Sequence, residues 1–152
     1  MGALTMQSTP DRPSWLELPE IESPWGTLCY AQNDDSLPFT LARTYFVRDI
    51  PAAAARGGHS HRRNREVVFC IHGACTLWLY DREGRELRFR LEQPRRGAYV
   101  PPGWWVELGD YSEAAMTLVM ASQNYDEADY IRDPEEFFHA APYPDPVYRP
   151  RP

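Results

Sequence analysis

Short apolar runs of strand length, each closed by turn-forming residues, dominate the middle of the chain. Leu87, Phe89 and Leu91 alternate with Glu86, Arg88 and Arg90, the two-residue period of a strand with one buried and one wet face. "EVVFCIH" (66–72) is apolar almost throughout, as in a strand covered on both sides, and Gly73 ends it. "TLWLYD" and "ELRFRLE" flank the turn "DREG" and predict a hairpin. "TLCYAQ" (27–32), "FTLARTYFVRD" (39–49), "GAYVPPGWWVEL" (97–108) and "AMTLVMAS" (115–122) supply further strands. Strands at a spacing of roughly 8–12 residues predict an all-β sandwich or barrel. "DPEEFFHAA" (133–141) predicts a short C-terminal helix, with Asp133 as cap, Pro134 in the first turn and Glu136 at capping-box spacing. The expected organisation is a flexible segment 1–14, one domain over 15–139, and a proline-rich extended tail over 140–152.

At 152 residues and 43% hydrophobic, the chain is long enough for one real core. No apolar run approaches the roughly 20 residues of a membrane span, and the N-terminus lacks a charged-then-apolar leader pattern, so a cytoplasmic protein is expected. A net charge of −6 argues against nucleic acid or anionic membrane as partner. Cys29, Cys70 and Cys75 form no metal-type spacing and are expected as small buried side chains. All 16 basic residues are arginine, which excludes lysine chemistry and leaves oxyanion contacts to guanidinium groups.

The candidate chemistry lies in "RGGHSHRRNRE" (56–66). Residues i and i+2 of a strand share a face, so His59 and His61 point together. The preceding Gly57 and Gly58 permit close backbone approach. The pattern Gly-His-x-His-x4-Glu-x6-Gly, from Gly58 to Gly73, matches the first motif of the cupin barrels. Gly97, Pro101 and Gly103 match the second, but Trp105 and Val106 stand where a metal cupin has its further histidine. Imidazoles without a metal, with an ordinary pKa of about 6.5, are proton carriers near neutral pH.

Longer segments add a resemblance to one family, the cupin-fold sugar 3,4-ketoisomerases (WxcM-like). "LPFTLARTYFVRDIP" is similar to the family's "IPFxIKRVYYxxDxP", and "RGGHSHRRNREVVFCIHG" to "RGxHAHKxLxQxLxCLxG". "GAYVPPGWWVELGDYS" resembles "GLYVxPxxWxEMxDFS", and "MASQNYDEADYIRD" resembles "LASxxYDExDYIRx". Three departures from the pattern bear on the site: Glu66 replaces glutamine, Trp25 of "SPWGTL" stands where the family's "DxRGxL" has arginine, and Phe46 replaces one tyrosine of a pair.

The resemblance implies a cupin jelly-roll barrel with a short C-terminal helix and a homodimer with strand exchange. It also implies an isomerase of deoxysugar biosynthesis, moving the ketone of dTDP-4-keto-6-deoxyglucose from C4 to C3 through an enediol, with no cofactor. His59 or His61 is the expected C–H base, with His61 preferred and the other relaying. Tyr45 or Glu66 is expected to carry the proton between oxygens, or Glu66 to fix an imidazole tautomer. Arg43 and Arg56 are the expected diphosphate contacts, and Tyr99 and Trp105 the aromatic substrate contacts. "RRNR" (62–65), Arg95 and Arg96 read as solvated charge. Two alternatives stay open: a metal-dependent enzyme using His59, His61 and Glu66, and a non-catalytic nucleotide-sugar-binding cupin.

Overall fold

Two five-stranded antiparallel sheets face each other in the computed structural model, which describes residues 10–141 and Tyr143. The first sheet runs β1 (Ser14–Glu17), β9 (Arg96–Val100), β6 (Glu66–His72), β11 (Met116–Ala121) and β4 (Arg43–Val47). The second runs β12 (Tyr130–Ile131), β5 (Arg56–His61), β10 (Trp105–Gly109), β7 (Cys75–Tyr80) and β8 (Glu86–Leu91). A separate ribbon pairs β2 (Glu20–Ser23) with β3 (Gly26–Cys29), and the helix α1 covers only Pro134–Phe137. This is the all-β, cupin-type jelly roll with a short C-terminal helix.

The main core lies between the sheets, where Val68 and Cys70 of β6 meet Leu77 and Leu79 of β7, Leu91, Ala98, Val106 and Val119. Burying a side chain of the Val or Leu type contributes about 1.5–3 kcal/mol, so this layer dominates stability. A second cluster, with Leu18, Leu37, Val67, Phe69 and Tyr99, covers the outer face of the first sheet. A third, with Tyr80, Trp105, Ile131, Phe137 and Phe138, places α1 against the outer face of the second. β6 is therefore buried on both faces, as its apolar run predicted.

Asp133 caps α1 by accepting from the Glu135 N–H at 2.9 Å. The expected capping-box partner does not reach back, because Glu136 pairs with Arg62 instead. Cys70 and Cys75 are buried, but Cys29 is exposed, because both strands of the β2–β3 ribbon are open to solvent. Ser14 opens β1, while residues 1–9 and most of the expected tail (142 and 144–152) lie outside the described residues. No helix among the described residues is long and apolar enough to cross a membrane.

Candidate active site

Pairing registers bring the histidines into the space between the sheets. His59 lies opposite Val106 and His61 opposite Tyr130, and paired residues share a face. Val106 belongs to the inner core, so both imidazoles point inward. Their ring centroids are 5.0 Å apart, and the Tyr130 ring packs on both, at 5.0 Å from His59 and 4.4 Å from His61.

Arg56 reaches the same lumen through an irregularity. Three residues before His59, it would face outward in a regular strand. Gly57 and Gly58 adopt φ of 92° and 74°, and the register slips between Val106 and Glu107. Arg56 thereby falls opposite Leu108, whose side chain packs on the inner core. A Cβ on Gly57 would stand 2.5 Å from the Val106 carbonyl oxygen, so the bulge requires glycine there.

The first sheet supplies the opposite wall. Glu66 pairs with Ala121, and Ala121 with Arg43, so Arg43 and Glu66 lie on one inward row. Tyr45 pairs with the inward Val119. The Arg43 guanidinium lies 5.5 Å from the Tyr45 ring centre and 5.7 Å from that of Tyr125, and its Nε is buried without a hydrogen-bond partner among the described residues.

His61 sits between two buried carboxylates. Its Nδ1–H donates to Asp129 Oδ2 at 3.1 Å, a bond that places the proton of the neutral ring on Nδ1. Asp129 also accepts from the backbone N–H groups of Arg63 (2.8 Å) and Asn64 (3.1 Å). On the other side, Nε2 lies 3.3 Å from Glu66 Oε1 but out of hydrogen-bonding alignment. Glu66 Oε1 is held by the Asn64 side-chain amide at 3.0 Å.

Electrostatics separates the groups. Burial, and then the adjacent His61, push the His59 pKa down to about 4, so His59 is neutral imidazole at pH 7. Burial alone would raise Glu66, but His61, His59 and Arg43 outweigh it and hold the carboxyl below its usual range. Burial, Glu66 and Tyr130 push the Tyr45 phenol up, which keeps its proton available for donation. Among the described residues, no three His, Cys, Asp or Glu side chains come together as a metal-binding group.

Six of the eight expected residues thus share the lumen: Arg43, Tyr45, Arg56, His59, His61 and Glu66. Tyr99 does not. It alternates with the inward Ala98 and Val100, packs outside the first sheet, and bonds Arg65 and the Pro10 carbonyl. Trp105 likewise points outward beneath α1, where its Nε1–H donates to Glu107 Oε1 at 2.7 Å. Glu107 is fully buried, and that burial pushes its carboxyl pKa up to about 7. Most of the remaining arginines expected as solvated charge form outer ion pairs, Arg62 with Glu136, Arg63 with Asp126, and Arg95 and Arg96 with Glu17. Asp129, Tyr130 and Asn64 were not among the expected site residues. "YDEADYIRD" carried the signal for the first two, and the signal for Asn64 was that it stands where the family pattern has leucine.

A jelly-roll barrel with an inward imidazole pair, buried carboxylates and guanidinium groups defines a cupin suited to acid–base chemistry on an anionic substrate. Comparison with known proteins specifies the family. The family model described as FdtA: WxcM-like, C-terminal, matches residues 11–142, and the chain belongs to that family. It is 34% identical over 113 residues to TDP-4-oxo-6-deoxy-alpha-D-glucose-3,4-oxoisomerase of Aneurinibacillus thermoaerophilus, covering 74% of this chain and 80% of that one. Its fold matches the 3,4-ketoisomerase QdtA of Thermoanaerobacterium thermosaccharolyticum, crystallised as a His-to-Asn variant with TDP-4-keto-6-deoxyglucose. That TM-score is 0.80, at 28% identity and covering 84% of this chain and 92% of that one. It also matches the TDP-quinovose 3,4-ketoisomerase WlaRB of Campylobacter jejuni, with a TM-score of 0.79, 30% identity, and coverage of 86% and 100%.

Proposed function

We propose that the protein is a cytoplasmic sugar 3,4-ketoisomerase that converts dTDP-4-keto-6-deoxyglucose to a 3-keto isomer by histidine acid–base catalysis. The observation that carries the mechanism is the state of His61. Its Nδ1 is committed to Asp129, while its buried Nε2 has no aligned partner among the described residues and faces the lumen beside His59.

The reaction is internally balanced. His61 Nε2 takes the C3 proton as the C4 carbonyl oxygen receives one, giving the enediol. The C3 hydroxyl then gives up its proton and C4 receives one, so no electrons leave the sugar. His59, neutral at pH 7, relays or donates toward the sugar oxygens. Tyr45, whose proton is retained, serves the oxygen-to-oxygen transfer. Arg43 offers a buried Nε–H unpaired among the described residues, and Arg56 a charge at the other side of the lumen, which suits a diphosphate bridging the two sheets.

Incubation with dTDP-4-keto-6-deoxyglucose in deuterated water tests the reading. NMR is expected to show loss of the C3 hydrogen, deuterium at C4 and appearance of a 3-keto sugar; a substrate that binds without exchange would reject it.

The working form proposed is a homodimer. Two-stranded ribbons are marginal alone, and β2–β3 presents Ile21 and Leu28 to solvent, with Trp25 at its tip 92% exposed. A second copy, with the same open strand edges, is the partner that covers them symmetrically. Light scattering at micromolar concentration is expected to give twice the chain mass, and a monomer mass would remove the proposal.

A further inference from the structure

We propose that Asn64 is a positioning residue that holds the two carboxylates flanking His61 and keeps the proton-accepting nitrogen free. The inference rests on the isomerase reading above and assigns a role to a residue that meets no substrate itself.

Asn64 lies in the connection between β5 and β6 and is buried. Its Oδ1 accepts from the Gln123 N–H at 3.2 Å and from Ser122 Oγ at 3.4 Å. That fixes the amide orientation, because a backbone N–H can face only the oxygen. The side-chain NH2 is thereby directed at Glu66 Oε1, 3.0 Å away. The backbone N–H of the same residue donates to Asp129 Oδ2 at 3.1 Å.

Both acids that Asn64 holds also meet His61. Asp129 Oδ2 accepts from Nδ1, and Glu66 Oε1 lies 3.3 Å from Nε2. Asn64, Asp129, His61 and Glu66 therefore form a closed ring, in which three links are aligned hydrogen bonds and the fourth is not. The unaligned link is the one at the nitrogen that takes the substrate proton. With its oxygen engaged by the Asn64 amide, Glu66 stays off the Nε2 axis. A carboxylate released from that amide would turn onto Nε2, bond a proton there and hold the ring as imidazolium, so that the base is already occupied.

Asn64→Leu tests this, since it removes the amide at similar volume. Turnover is expected to fall about ten- to a hundredfold, the scale of one lost orienting bond, with KM changed far less. Nitrogen-15 NMR of histidine-labelled protein is expected to show His61 Nε2 passing from unprotonated to protonated, with Nδ1 keeping its proton. In a Glu66→Ala background the same substitution is expected to have no further effect, because no carboxylate remains to turn. If Asn64→Leu does not fold, Asn64→Ser keeps the backbone link to Asp129, loses the reach to Glu66, and is expected to give the same signature. Unchanged His61 nitrogens in a folded variant, or losses that multiply across the double variant, would overturn the assignment. The NMR readout needs no substrate, so it decides the ring even if the wild-type protein does not isomerise the sugar.

Discussion

Replacing His61 by Asn is expected to lower turnover by about 10²–10⁴, the usual contribution of a positioned acid or base, while dTDP-sugar binding and folding persist. Asparagine keeps a donor for Asp129 but has no basic nitrogen to place at the lumen. Deuterium exchange at C3 should vanish with it, because no group is left to take that hydrogen. His59→Asn is expected to lose turnover on the same scale yet keep slow exchange, as befits a relay. The His59 variant also has a signature in acid. His59 has a folded pKa of about 4 against an ordinary 6.5, so between those values the unfolded chain binds a proton that the folded chain does not. Stability therefore falls as pH drops from about 6.5 towards 4, and His59→Asn should flatten that part of the curve. Urea unfolding across this range measures the slope. Near-normal turnover in both variants would remove the pair from catalysis.

Arg56→Ala is expected to raise KM by about ten- to a hundredfold with a smaller change in kcat, corresponding to the roughly 1.5–3 kcal/mol of one charge-assisted hydrogen bond. A diphosphate contact is felt alike before and during the chemistry, so it appears in binding rather than in turnover. Arg43→Ala should behave similarly but with an added loss in kcat, because Arg43 also acts on Glu66 and packs against Tyr45. Steady-state kinetics on both variants checks the split, and an unchanged KM for Arg56→Ala would confine it to the scaffold.

The imidazole pair was legible because it depends only on the two-residue period of one strand. Tyr99 and Trp105 were not, because β9 and β10 have apolar neighbours on both faces. Alternation says that Tyr99 opposes Ala98 and Val100 in direction, but not which set faces the lumen; the pairing with β6 decides that. Asp129 and Tyr130 were hidden for another reason. Tyr130 reaches the site through a two-residue strand paired to His61 far away in the chain, and Asp129 through the single 3-10 turn (Glu127–Asp129) just before it; elements this short carry no period. Arg56 faces the lumen although regular alternation would have sent it outward, and the glycine bulge accounts for the difference.

That bulge also divides β5 into separable parts. Upstream of Gly57 and Gly58 the direction of each side chain is set independently of the direction downstream. An insertion or deletion before the glycines would exchange the residue that β5 offers to the lumen at the place of Arg56 while leaving both imidazoles in place. The same change after them would rotate His59 and His61 out of the lumen together and break the bond to Asp129. On the proposed roles, one strand carries an adjustable binding cassette joined to a locked proton-transfer cassette, and substrate range can change in the first without loss of the second.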